Sequence, residues 1–444
     1  MASDAPGFAI LGAGIYAKEG EPHPYLPAIA ALPASPLLKA VYSRSEKSAS
    51  DLATAAQTTL HLATPPAVYC DDADVNLGAL LARSDIHAVI VALPITAQPD
   101  IILKALAAGK HVLSEKPIAP DVARAVELIR TYESEYKPKG LIWRVAENYE
   151  MAPVYRKAAQ AIREGKIGEV LFFRARIVNY MDTESKWYKT AWRTVPDYQG
   201  GFLLDGGVHF AAALRVMLPS PLTHLSAFTS LTKSYLAPAD TLHAIVRTAS
   251  SKIQGLFELS FGAPSAECST ASNNGFTITG SKGWLVVGPG ARLCVHTALG
   301  EEEVVEERTH GVEEELKSFF EAGQGKDDGM QAPRSTLRDL AFIQAALTSG
   351  GAVVDLEALA QMAWKEQKRS TRVIQILEYP KIENALCVGR WAPASDVPRC
   401  MYPVAAANSS RLAQAPALGE SDSNAGDHGY TCVELSPVMH IATF

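Results

Sequence analysis

The sequence predicts two domains of different class: an α/β domain with a doubly wound parallel sheet over residues 1–148, and an α+β domain dominated by antiparallel strands over residues 149–380. Three observations lead there. The length of 444 residues exceeds what one hydrophobic core ordinarily serves. The first third alternates short apolar runs with helical segments, the pattern of strands covered on both faces. Beyond Gly168 that alternation gives way to successive strand-like runs parted by turn residues, which reads as antiparallel pairing.

The first apolar run, 8–11, ends directly in Gly12-Ala13-Gly14-Ile15-Tyr16-Ala17, a GxGxxA pattern at a predicted strand-to-helix junction. Its first glycine permits a tight turn, its second admits a pyrophosphate to the backbone, and its small third residue lets the helix pack closely. Gly12, Gly14, Ile15 and Tyr16 are therefore candidate dinucleotide contacts. Glycines also make ordinary turns, so the context has to carry the reading. Pro22, Pro24 and Pro27 fall where the first helix should run, and an interior proline costs about 3 kcal/mol. The helix is expected to break there, as a tolerated surface insertion. Strands follow at 37–42, 88–93 and 111–114, with a helix at 101–108 closed by Gly109.

The end of the second strand bears on the cofactor. An acid at that tip would bind the ribose 2′-hydroxyl of NAD, yet the chain reads Val41-Tyr42-Ser43-Arg44-Ser45-Glu46. Ser43, Arg44 and Ser45 offer hydroxyls and a guanidinium suited to a 2′-phosphate, so NADP(H) is favoured over NAD(H).

At the fifth strand the chain reads Gly109-Lys-His-Val-Leu-Ser-Glu115-Lys116-Pro117, and later Gly200-Gly-Phe-Leu-Leu-Asp205-Gly-Gly-Val-His209. With the GxGxxA turn, in this order, these segments resemble the Gfo/Idh/MocA oxidoreductases, the glucose–fructose oxidoreductase and inositol dehydrogenase family, over about residues 6–360. In wording they are similar to fungal NADP(H)-dependent members. The resemblance implies a Rossmann domain followed by an α+β domain whose large, mostly antiparallel sheet often forms a subunit interface, hence a homo-oligomer. It places Glu115, Lys116 and Pro117 at the cofactor, with Lys116 near nicotinamide and substrate, and pairs Asp205 with His209. Where the family often has an aspartate three residues after that histidine, this chain has Ala212, which weakens any transfer of a polyol-type substrate.

Reducing a carbonyl with a nicotinamide needs a hydride donor, a proton donor and a group that stabilises charge growing on oxygen. His209 suits the proton, since imidazole titrates near neutrality, and Lys116 suits the charge. Asp205 shares a helix face with His209 if the segment is helical, and is placed to orient the ring or bind a substrate hydroxyl. Asn148, after the apolar run at 141–145, marks the crossover between domains, where residues face the crevice. Trp187, Tyr188, Trp192 and Arg193 form an aromatic stretch able to wall a ring-shaped ligand. Asn148, Trp192 and Arg193 are thus candidate substrate contacts.

Further strands are expected at 170–179, 222–229, 241–248, 252–260, 275–279 and 284–287, and helices at 210–217, 312–321 and 334–347, the last two closing back on the chain. Residues 381–444 are rich in Ala, Ser and Pro without a sustained period, and read as disorder or an atypical extension. Deleting 385–444 is expected to leave activity nearly intact.

A formal charge of −7 gives no basic footprint, which argues against nucleic acid and anionic lipid and for a small-molecule partner. Six scattered cysteines form no CxxC pair or metal cluster and read as reduced thiols. The N-terminal apolar run is too short for a signal segment, and no run of roughly 18 apolar residues follows, so a cytoplasmic protein is expected. Two other readings stay open: a non-catalytic nucleotide-binding regulator, and a lyase or hydrolase that oxidises and re-reduces its sugar while retaining the cofactor.

Overall fold

The computed structural model describes residues 7–18, 24–32, 36–71, 75–250, 252–264, 274–300, 302–306 and 311–361. The extension at 381–444 and Cys268, Cys387, Cys400 and Cys432 lie outside the described residues. From β1 (Gly7–Leu11) the chain passes through α1 (Ile15–Lys18) and α2 (Tyr25–Ala30) to β2 (Leu37–Ser43), α3 (Glu46–Thr59), β3 (Ala67–Cys70) and α4 (Leu77–Leu81). It continues with β4 (Ala88–Val91), α5 (Gln98–Ala107), β5 (His111–Glu115), α6 (Val122–Thr131) and β6 (Trp143–Ala146). These strands form one sheet, ordered β3-β2-β1-β4-β5-β6, with every neighbouring pair parallel. This is the doubly wound order, and such sheets bind ligands at the carboxyl ends of the strands where the order reverses, here between β1 and β4.

Alternation explains how one sheet serves two layers. Ala9, Leu11, Val89, Val91 and Val112 point into one core, while Phe8, Ile10, Ile90 and Leu113 point into another. The proline segment is not the surface insertion its prolines suggest. Although residues 19–23 lie outside the described residues, Tyr25, Leu26, Ala28 and Ile29 of α2 are buried in the second of those cores. The apolar residues around Pro27 outweigh its turn-forming character.

The second domain opens with α7 (Asn148–Met151) and α8 (Pro153–Arg163), then β7 (Val170–Val178), α9 (Ala191–Thr194) and α10 (Phe202–Met217). β8 (Leu222–Ser230), β9 (Thr241–Thr248), β10 (Gln254–Ser260), β11 (Gly275–Gly280), β12 (Gly283–Gly288), β13 (Arg292–Thr297) and β14 (Glu302–Glu306) follow. α11 (Val312–Gly323), α12 (Pro333–Thr348) and β15 (Val354–Asp355) come last. The nine strands run β14-β13-β12-β11-β7-β10-β9-β8-β15; within this sheet, among the described residues, β7 with β10 is the one parallel pair. The inner face packs on α10 and α12. The outer face carries Phe172, Phe228, Ile245, Leu256 and Trp284, all exposed.

The two domains are not separate in sequence, because α11 returns to the first sheet. Val312, Leu316 and Phe319 join Phe8, Ile10 and Ile29 in one core. No helix among the described residues is long and apolar enough to cross a membrane.

Candidate active site

The glycine turn sits at the carboxyl end of β1, where a cavity of about 430 Å³ runs along the switch point. Gly12 has φ +116°, and a Cβ there would lie 2.1 Å from the carbonyl oxygen of Ala92. A Cβ on Gly14 would meet nothing within 4 Å. The first glycine is thus demanded by the protein itself, whereas the second leaves an open cradle of the kind a pyrophosphate fills. A dinucleotide fits these residues. Gly12, Gly14, Ile15, Tyr16, Ser43 and Arg44 line the cavity as the sequence led one to expect.

Ser45 does not join them. Its hydroxyl caps α3, accepting a hydrogen bond from the Ser48 backbone N–H at 3.3 Å, because Ser after a strand end is a strong N-cap. Ser48 lines the cavity in its place. The Arg44 side chain has no hydrogen-bond or ion-pair partner among the described residues.

Parallel register explains how the catalytic candidates converge. Glu115 pairs with Ala146 across β5 and β6, so Lys116 and Glu147 leave the sheet side by side. The Lys116 ammonium donates to the Asp205 carbonyl at 2.8 Å and to Asp205 Oδ1 at 3.1 Å. Arg193 Nε donates to Asp205 Oδ2 at 2.7 Å. Burial alone would push the Asp205 carboxyl up, but the fields of Lys116 and Arg193 and their hydrogen bonds outweigh it and hold the group well below the usual carboxylate range. α10 brings Asp205 and His209 close because it carries Gly206 and Gly207, where a Cβ would crowd Phe261 and Ile343.

Asp205 does not orient His209. Glu147 does, its Oε1 lying 2.6 Å from His209 Nδ1 and also accepting from the Tyr149 backbone N–H at 3.1 Å. The Glu147 side chain is 1 % exposed. Burial would raise its carboxyl, yet His209 nearby draws it below its ordinary value. An ionised carboxylate only accepts, so Nδ1 carries the hydrogen and Nε2 is left for chemistry. Tyr149 stacks on the imidazole with ring centres 4.7 Å apart. Glu147 and Tyr149 are functional candidates whose partner the sequence did not disclose; their signal was their position just past a buried strand.

Glu115 lines the cavity, but its carboxylate accepts from Tyr25 Oη at 2.8 Å and from the Lys116 N–H at 3.2 Å. Burial lifts it above the ordinary range against the pull of Lys116. Pro117 follows a cis peptide bond and is not among the lining residues. Asn148, Trp192 and Arg193 line the cavity, with Trp187, Met181, Phe202 and Phe261. Ala212 is fully buried in α10 and is not among the lining residues. Among the described residues no group of three or more His, Cys, Asp or Glu is placed to hold a metal ion. A larger cavity, about 510 Å³ between α6, α10 and α12, contains none of these residues.

A parallel sheet of this order, a glycine turn at its switch point and a second domain that sets a histidine and an aspartate against a strand-end lysine define a nicotinamide-type oxidoreductase of the Rossmann class. The chain belongs to the Gfo/Idh/MocA oxidoreductases: residues 7–138 match the oxidoreductase family with NAD-binding Rossmann fold, and residues 155–286 match the GFO/IDH/MocA C-terminal domain. It is 40 % identical over 353 residues to Dehydrogenase FPY6 of Fusarium mangiferae, covering 77 % of this chain and 96 % of that one. The crystal structure of an oxidoreductase from Thermotoga maritima is similar with a TM-score of 0.69 at 30 % identity, covering 80 % of this chain and 99 % of that one. Over 151 residues the chain is 34 % identical to dTDP-3,4-didehydro-2,6-dideoxy-alpha-D-glucose 3-reductase of Actinomadura kijaniata, covering 34 % of this chain and 42 % of that one.

Proposed function

We propose that this protein is an NADP(H)-dependent oxidoreductase that moves a hydride between the nicotinamide and a carbonyl or alcohol carbon of a small, sugar-like molecule. The observation that carries the catalytic part is the convergence of Lys116 and His209 on the cavity that begins at the glycine turn. The cofactor preference rests on the Arg44 side chain, which lines that cavity without a partner among the described residues, at a strand tip that lacks an acid. The sugar nucleotide reductase named above supports the sugar class, and polyols, dihydrodiols and secondary-metabolite ketones share the same reacting group.

When bound, the nicotinamide supplies or takes up the hydride. The chain's own residues do the rest. Lys116, fixed by the carbonyl and carboxylate of Asp205, holds a positive charge beside the oxygen of the reacting carbon and stabilises it as it becomes negative. His209 Nε2 gives or takes the proton, while Glu147 fixes the tautomer. The indoles and phenylalanines at the mouth exclude water.

Two measurements test this reading. In fluorescence titrations NADPH is expected to bind about tenfold or more tightly than NADH, the worth of one hydrogen-bonded charge; tighter NADH binding would remove Arg44 from the argument. In His209→Ala, NADPH binding is expected to survive while turnover on a carbonyl panel falls on the order of a hundredfold; unchanged turnover would remove His209 from the mechanism.

The proposal extends to assembly and setting. The exposed apolar face of the second sheet supports a homo-oligomer formed through it, and the free thiols Cys70 and Cys294 support a reducing, cytoplasmic setting. The domain limits 1–148 and 149–380 are proposed as functional divisions, cofactor and substrate, with 381–444 an extension dispensable for turnover.

A further inference from the structure

The aromatic stretch before α10 is arranged for a different task from walling a sugar ring. The Arg193 guanidinium carbon lies 4.0 Å from the Trp192 ring centre and 5.2 Å from that of Trp187. Lys186 Nζ lies 5.4 Å from the Trp187 centre as well. Cations therefore already lie against both indoles, and Trp192 has Arg193 in direct contact where a sugar would have to stack. The two indoles act as a cradle that holds one guanidinium.

That guanidinium is only partly used. Nε donates to Asp205, and the side chain is 14 % exposed where it lines the cavity. Neither terminal nitrogen has a hydrogen-bond partner among the described residues. A planar donor fork, immobilised by stacking and by a buried carboxylate, is left with its outer N–H groups free.

The other charged groups of the cavity are already engaged. Its lining carries Arg44, Lys116 and Arg193 against Glu115 and Asp205. Asp205 alone answers both Lys116 and Arg193, and Glu115 is engaged by Tyr25 and the Lys116 N–H. With Arg44 assigned to the cofactor, the remaining charges of the lining balance, and the outer N–H groups of Arg193 are what is left for a ligand.

We infer that the substrate carries an oxyanion, a carboxylate or phosphate, which the terminal N–H groups of Arg193 bind while the reacting carbon lies at Lys116 and His209. Bidentate recognition of that kind is what an arginine fork does best and a lysine does poorly. A sugar acid or a sugar phosphate is the chemical class defined. The inference rests on reading this cavity as the substrate site.

The test is calorimetric titration of the full-length protein loaded with NADP⁺. The probes are matched sets on one skeleton: D-glucose, D-glucuronate and D-glucose 6-phosphate, and D-galactose, D-galacturonate and D-galactose 6-phosphate. At least one anionic sugar is expected to bind tenfold or more tightly than its neutral parent, and the acid and phosphate arms tell the two sources apart. Arg193→Gln should erase that advantage. Arg193→Lys, which keeps a charge for Asp205, should lose most of it, and NADPH binding by each variant reports that it is folded. Neutral parents binding as tightly as the anions, no binding by any anionic probe, or an advantage that survives in both variants would overturn the inference. Loss of NADPH binding by the wild type would instead overturn the cofactor reading, so the two failures are distinct.

Discussion

Glu147 shows how much of the chemistry depends on one buried carboxylate. Its group is held below the ordinary value by His209, so it is ionised throughout the neutral range. Glu147→Gln keeps the acceptor and removes the charge. Turnover is expected to fall about tenfold. NADPH affinity should not change, and unchanged turnover would show that the carboxylate only caps α7. Gly12 and Gly14 were legible from the spacing of the glycine turn, and Lys116, Asp205 and His209 from segments that resemble the family's motifs; all five line one cavity. The Glu147–His209 bond was illegible, since its partners are 62 residues apart and meet only when the two sheets dock.

Helix α11 carries an acid where an apolar side chain would be unremarkable. Glu315 is 1 % exposed, and its Oε2 accepts from Gln331 Nε2 at 2.6 Å. Burial, with Glu115 and Glu147 nearby, pushes it well above the usual carboxylate range. A carboxyl raised in the folded state binds its proton more tightly there than in the unfolded chain. Its contribution is therefore fully present below about pH 4.3 and is lost as pH rises toward the folded value. Glu315→Gln should melt with the wild type at pH 5 and above it at pH 8, by roughly 2–4 °C for each kcal/mol relieved. Scanning fluorimetry at both pH values decides; equal melting at pH 8 would mean the acid is held without cost. Elements with strong alternation, such as β9, were legible to the residue. β13 was missed although Leu293 and Val295 alternate inward, because its polar positions and the glutamates of β14 lowered the apolar signal that marks a strand.

At the scale of the molecule, the outer face of the nine-stranded sheet carries exposed apolar side chains that the candidate site does not use. Phe172 is 53 % exposed, Ile245 62 % and Phe228 67 %. Leu256 bridges Ile245 to β7 through the register of β9, β10 and β7. If two copies meet there, Ile245→Lys should shift sedimentation toward the monomer while leaving NADPH binding intact, since a charge buried at an apolar interface has no partner. An unchanged sedimentation coefficient would place the interface elsewhere. The sheet itself was legible from its turns; what covers its outer face was not, because an alternating strand shows which residues share a face and not what covers them.

The return of α11 to the first sheet has a consequence for how the protein is made. Phe8 and Ile10 emerge from the ribosome first, and the residues that cover them, Val312, Leu316 and Phe319, emerge near the end of the described chain. At about 5–20 residues per second, that face of the sheet is covered only in part, by α2 and α3, for on the order of 15–60 seconds of synthesis. The nucleotide-binding half is thus a domain that translation cannot finish in one pass, and a chaperone has a defined apolar surface to hold while the rest is made.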